Sequence, residues 1–385
     1  MLHLRGLYVL SSRRLRHLAI VPSPLSTKSR VNTLTCRSHF HVEGLLMAPV
    51  VYGGLFISLW TWKCFMLVVF QNKIIYMPGL PPNARWETIQ DYAHRFGGVQ
   101  WREERIRAAD RTDLALCVAD LDIGQSQTSD RPDAVFYILY FQGNASSLPP
   151  RLPDLSSVLC MLKRRMLQEP RHVRCTMVCL SYRGYWTSRG RPTEKGIRLD
   201  AAAAVDCISQ MHRKSYSNEI GGSSPRAELV LWGQSIGSGV ATNLASECLM
   251  PENLHLNALI LETPFTSIRA MLEVLYPQKW LPYKHLWPFL RNHLDSWKNL
   301  DLISRNYKLE KLPPAVFILQ AAKDELVPAE LSQRLYDRCL EVQLPVTRKA
   351  VSGAFHNDTL FRLEGRKAVS AFLLQRMMAL PCPQS

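Results

Sequence analysis

The chain has 385 residues, 47% of them hydrophobic and 21% charged, with a formal net charge of +15. That length accommodates one large α/β domain or two small ones. Ten cysteines without a C-x-x-C pair and eleven histidines without an H-E-x-x-H argue against a metal enzyme, and no basic run with interleaved aromatics points to nucleic acid. No metal and no cofactor is expected.

The first segment, residues 1–44, reads as a basic N-terminal arm or a targeting segment. Its first 42 residues hold seven Lys/Arg (Arg5, Arg13, Arg14, Arg16, Lys28, Arg30, Arg37) and no acid, which leaves +8 on the rest. Residues 45–70 follow as LLMAPVVYGGLFISLWTWKCFMLVVF, uncharged except for Lys63. About 20 apolar residues cross a hydrocarbon core, so a single transmembrane helix is expected. Trp60, Trp62 and Lys63 suit a membrane interface. Single-pass attachment is expected, in an endomembrane ahead of a mitochondrial one. The cationic arm favours a cytoplasmic N-terminus, with the body on the far side. The two glycosylation sequons, at Asn144 and Asn357, pull the other way, because both fall in segments expected to line the active site.

Residues 71–98 form a linker and lead-in segment, with the Pro-rich MPGLPPNAR at Met77–Arg85. From residue 99 to 378 apolar runs alternate with helical stretches. Val99–Arg107 and Leu114–Ala119 predict an opening hairpin, and AVFYILYF at Ala134–Phe141 a strand buried on both faces. A helix is expected over Leu152–Gln168, a strand over Cys175–Ser181, and a helix over Thr193–Met211. LVLW at Leu229–Trp232 is a strand, Ile236–Cys248 a helix, and Ala258–Leu261 a strand. The chain closes with strand Ala315–Leu319, helix Ala329–Leu340, strand Pro345–Val351 and helix Asp358–Met377. Such alternation means right-handed crossovers and a mostly parallel sheet with helices on both faces. One stretch, 265–312, breaks it, and its aromatics (Tyr276, Trp280, Tyr283, Trp287, Phe289, Trp297) suit a lid over an apolar pocket.

Between the LVLW strand and its helix lies Gly233-Gln-Ser-Ile-Gly237, which fits G-x-S-x-G. Glycines on both sides relieve a tight turn and leave the Ser235 hydroxyl exposed at the sheet edge. A serine hydroxyl needs an imidazole base, and that base an orienting acid. In the chain order Ser, acid, His, both partners are expected after later strands. Asp324 follows the Ala315–Leu319 strand, and His356 follows the last one. Glu325 could stand in for Asp324, and Asp358 could fix the imidazole instead. The oxyanion would be held by the Ile236 N–H, at a helix start, and by the Asn144 N–H, where Gly143 allows close backbone approach.

The runs FQGNASS…RL, SYRGYWTSRGRPTEKGIRLDA, WGQSIGSGVA, ETPFTSI, KDELVP and FHNDTL resemble those of the membrane-anchored α/β-hydrolase-domain serine hydrolases. That group includes fungal bud-emergence homologues, protein depalmitoylases and lysophospholipid hydrolases. The resemblance runs from about Phe70 to Phe372. It implies an α/β-hydrolase fold, with Ser235, Asp324 and His356 in the catalytic roles. One departure is Gln142, where the family carries His before Gly-Asn-Ala. The expected activity is cleavage of an ester or thioester of a long acyl chain, on an acyl lipid or an S-acylated protein at a membrane. A membrane-tethered scaffold without catalysis, or an acyltransferase using the same residues, remains as an alternative.

Overall fold

The computed structural model describes residues 42–123, 132–169, 171–216, 227–247, 250–278, 282–307 and 313–380. The basic arm through residue 41 and Trp280 lie outside them. By compactness the chain divides after Ile57, and the body runs from Ser58 onward.

Helix α1 spans Val42–Val69. Within it Met47–Val69, 23 residues of mean hydropathy 1.4, is long and apolar enough to cross a membrane. Leu55, Phe56, Ile57 and Leu59 are among its exposed side chains. A short helix α2 (Gln71–Tyr76) follows directly, and its Tyr76 is fully buried.

The described strands form one eight-stranded sheet. They are β1 (Arg102–Arg107), β2 (Asp113–Ile123), β3 (Ala134–Phe141), β4 (Val173–Ser181), β5 (Ala227–Gln234), β6 (Leu254–Glu262), β7 (Ala315–Ala321) and β8 (Val346–Val351). Their order is β1-β2-β4-β3-β5-β6-β7-β8, antiparallel at β1-β2-β4 and parallel from β4 to β8. The helices between them are α3 (Leu152–Met166), α4 (Glu194–Tyr216), α5 (Ile236–Glu247), α6 (Ile268–Leu275), α7 (Ser296–Tyr307) and α8 (Ala329–Glu341), and α9 (Leu363–Met378) follows β8.

The period of two along β3 builds both cores. Tyr137, Leu139 and Phe141 face the side covered by α4, α5, α7 and α8, while Phe136, Ile138 and Tyr140 face α3 and α9. The expected α/β fold, mostly parallel with helices on both faces, is therefore what the chain adopts. Parallel crossovers bring the C-terminal ends of β3, β5, β6, β7 and β8 to one rim of the sheet, where open α/β sheets hold their ligands.

The segment 265–312 has two parts. Helix α6 and the 3₁₀ segment Pro282–Phe289 form a cover, whereas α7 packs on α5 and buries Leu300 and Ile303 in the core. Ser267 caps α6, its Oγ accepting the Ala270 N–H at 3.2 Å.

Candidate active site

Ser235 is the one residue between the end of β5 and the start of α5. Its φ of 52° lies in the left-handed region, a conformation serine rarely adopts and one that turns a strand sharply into a helix. The turn closes only because its flanks lack side chains. A Cβ at Gly233 would overlap the Gly237 carbonyl, and a Cβ at Gly237 would overlap the Phe141 carbonyl of β3. Gly143 differs. A Cβ there would meet Gln234 and Ser235 at 3.7 Å, ordinary contact, so close approach does not require glycine at that position.

The turns after β7 and β8 deliver the partners. Ser235 Oγ lies 2.9 Å from His356 Nε2, and His356 Nδ1 lies 2.9 and 3.0 Å from the two Asp324 oxygens. Ser235 and His356 are buried, at 7% and 2% exposure. Asp324 Oδ1 also accepts the Leu326 and Val327 N–H groups at 3.0 and 2.8 Å, which fixes the carboxylate in its turn. The alternative acids hold the loop, not the ring. Glu325 accepts the His356 N–H at 3.0 Å, and Asp358 accepts the Phe355 N–H.

Asn144 and Ile236 line the same cavity as Ser235 and His356. Their backbone N–H groups have no acceptor among the described residues, as donors awaiting a developing oxyanion would. The loop that carries Asn144 is held by the chain that leaves α1. Ala145 and Ser146, both at positive φ, donate their N–H groups to the carbonyls of Tyr76 and Leu80 at 3.0 and 2.5 Å. The Gln142 carbonyl accepts the Tyr182 hydroxyl at 2.9 Å, while the buried Gln142 side-chain amide has no partner among the described residues.

Sequence reasoning missed the hub beneath these groups. Glu262, fully buried at the end of β6, accepts from Arg151, Thr359 and Trp232 Nε1, the last at 3.2 Å. Its carbonyl accepts the Ser235 N–H at 2.8 Å. Arg151 also donates to the Tyr140 hydroxyl at 3.0 Å, and that hydroxyl donates to Gln234 at 3.1 Å. Burial holds the Tyr140 phenol well above its ordinary value, so it stays neutral. One residue thus ties together the serine turn, through its carbonyl, and the oxyanion side and histidine loop, through its carboxylate on Arg151 and Thr359. The only signal in the sequence was an acid closing an apolar strand, in ETPFTSI.

Above Ser235 opens a cavity of about 310 Å³. Its walls are apolar: Leu67 and Val68 of α1, Ile74 and Ile75 of α2, Met271 and Leu272 of α6, and Tyr283 and Phe289 of the cover. The sequon Asn357 is exposed beside it and Asn144 is half-buried.

No family model matches the chain. Among curated proteins it is similar to "Protein bem46" of Schizosaccharomyces pombe, 26% identical over 317 residues that cover 82% of this chain and 89% of that protein. It is 29% identical over 326 residues to "Alpha/beta hydrolase domain-containing protein WAV2" of Arabidopsis thaliana, covering 80% and 87%. It is 34% identical over 168 residues to "Lysophosphatidylserine lipase ABHD12" of Danio rerio, covering 42% of this chain and 38% of that one. Among solved structures, the Pyrococcus furiosus esterase Pf2001 matches with a TM-score of 0.47 and 18% identity, over 76% of this chain and 94% of that one.

Proposed function

Given that the chain is an α/β-hydrolase protein homologous to bem46, WAV2 and ABHD12, we propose that it is a membrane-anchored serine hydrolase that cleaves an ester or thioester of a long acyl chain. The observation that carries this reading is the continuous line from Ser235 Oγ through the His356 imidazole to Asp324, each gap 2.9 to 3.0 Å.

In that reading the neutral imidazole carries its proton on Nδ1, donating to Asp324, and Nε2 accepts the Ser235 proton as Oγ bonds to the substrate carbonyl. The carbonyl π electrons move to oxygen, where the Asn144 and Ile236 N–H groups meet the charge. Collapse breaks the carbonyl bond to the alcohol oxygen or thiol sulfur, and the leaving group takes the proton from Nε2. Water then repeats the sequence on the acyl-serine and releases the carboxylic acid. Asp324 stabilises the transient imidazolium without taking its proton. The apolar cavity favours an acyl chain over a small polar ester, and α1 supplies the membrane attachment. The lipase named among the relatives acts on a lysophospholipid, which is the substrate class to try first.

A fluorophosphonate probe is expected to label the wild-type chain and not Ser235→Ala. Equal labelling of both would refute the assignment, and loss of ester hydrolysis by at least about 10³-fold is expected in the same variant.

A further inference from the structure

The cover of the cavity is stitched to the end of the apolar helix. Lys63, two turns before the end of α1, places its ammonium 4.6 Å over the Tyr283 ring. Arg291, just beyond the cover, donates to the Val68 and Val69 carbonyls at 3.0 and 3.2 Å, satisfying acceptors that a helix end leaves open. Gln71 bridges the two elements, donating to the Val68 carbonyl at 2.9 Å and the Phe289 carbonyl at 3.1 Å, and accepting the Arg291 N–H at 2.7 Å. Leu67 and Val68 are at once the last turn of the helix and a wall of the cavity.

Depth follows from this stitching. At ~1.5 Å per residue, Lys63 sits about 9 Å before the end of α1. If Met47–Val69 crosses the bilayer, the Lys63 backbone lies just inside the hydrocarbon edge, its ammonium and the Tyr283 ring beneath it lie toward the headgroups, and the cover lies along the membrane surface instead of facing bulk water. The surface fits such a place. Leu275, Trp287 and Phe289 are exposed on the cover, at 57%, 43% and 61%, and Leu275 and Phe289 also line the cavity. Arg269 stacks 4.2 Å from the Trp287 ring, an aromatic and a cation paired as at membrane interfaces.

We propose that the cover formed by α6 and Pro282–Phe289 docks on the bilayer that holds α1, so that the cavity opens to the lipid phase and the acyl chain passes from membrane to Ser235 without crossing water. The inference rests on α1 being a span and deepens the hydrolase reading by naming its substrate as membrane-resident. The last turn of the helix is then part of the acyl site as well as an attachment.

The full chain, reconstituted in vesicles of phosphatidylcholine with a minor fraction of phosphatidylserine, tests this in two ways. Trp287→Cys, carrying a nitrobenzoxadiazole label in a chain whose accessible cysteines are serine, is expected to be quenched by lipids spin-labelled near the headgroup. The same label at Asp122→Cys, at the opposite end of the sheet, is expected to stay unquenched. Equal quenching at the two positions overturns docking, whether or not the protein turns over any substrate. In the second arm, Trp287→Ser is expected to lower hydrolysis of a vesicle-embedded lysophospholipid by about tenfold, with a water-soluble butyrate ester hydrolysed as before. Equal losses on both substrates, or none on the vesicle-borne one, overturn it too. Failure of the wild type to react with the fluorophosphonate probe would instead count against the hydrolase reading, and the quenching result would stand by itself.

Discussion

Glu262 is the residue on which the geometry of the site turns, because its carbonyl holds the serine turn and its carboxylate holds the histidine loop through Thr359. Glu262→Gln keeps the volume but removes the charge that Arg151 faces in a buried setting. Arg151 keeps Asp154 at 3.6 Å, so the loss should stay below that of a buried charge left wholly unpaired, about 3–5 kcal/mol. A shift of the order of 1 Å between nucleophile and base costs about a hundredfold in rate. We expect kcat on a soluble ester to fall about tenfold to a hundredfold with KM little changed, together with a lower melting temperature. Active-site titration separates the two effects, and an unchanged rate per titrated site would refute the positioning role. The serine, acid and histidine were legible in the sequence because their order and their places after apolar runs are set by the backbone. Glu262 was not, since a buried, paired carboxylate and a solvated one look alike until the fold shows what surrounds them.

At the scale of elements, the strand-to-helix passage at β5–α5 is where the packing tolerance is smallest. Gly237→Ala would drive a methyl group into the Phe141 and Gln142 carbonyls of the adjacent strand end, and backbone has no rotamer with which to yield. A loss of about 1–3 kcal/mol or failure to fold is expected, whereas Gly143→Ala, in open contact and at no positive φ, should melt close to the wild type. Chemical denaturation of the two variants side by side checks the contrast. Strands buried on both faces were readable to the residue in one case, Ala134–Phe141. Edges were harder. β2 extends to Ile123, past the expected Ala119, because Asp120 and Asp122 face solvent and pair with Arg102 and Arg174, which breaks the apolar run without ending the strand. The last helix begins at Leu363 instead of Asp358, since Asp358 spends its carboxylate on the Phe355 N–H and holds the histidine loop. Within 265–312, α7 carries an amphipathic stripe like any core helix, and only its packing partner α5 separates it from the cover.

For the whole molecule, Asp110 is a contributor to stability that acid removes. Hydrogen bonds from the Arg183 guanidinium hold its carboxyl at about 2, below its ordinary value. A carboxyl whose folded value is depressed stabilises the fold above its unfolded value, and that contribution disappears as the pH falls through the folded one. Asp110→Asn should therefore melt below the wild type at pH 6, with the difference closing between about pH 4 and pH 2. The gap should be modest, because the Asp110 side chain is 40% exposed and its charge is screened by water. A difference that persisted unchanged at the acid end would refute the assignment.

The start of the segment expected to be a linker and lead-in packs into the body. The carbonyls of Tyr76 and Leu80 receive the N–H groups of Ala145 and Ser146, and Tyr76 is wholly enclosed. Cutting the chain after residue 81 to obtain a water-soluble enzyme would therefore strip two acceptors from the loop that carries Asn144 and remove one wall of the cavity. A fragment that keeps both acceptors and every wall of the cavity begins no later than Leu67, inside the last turn of α1, so in the proposed reading the attachment helix and the acyl site share that turn.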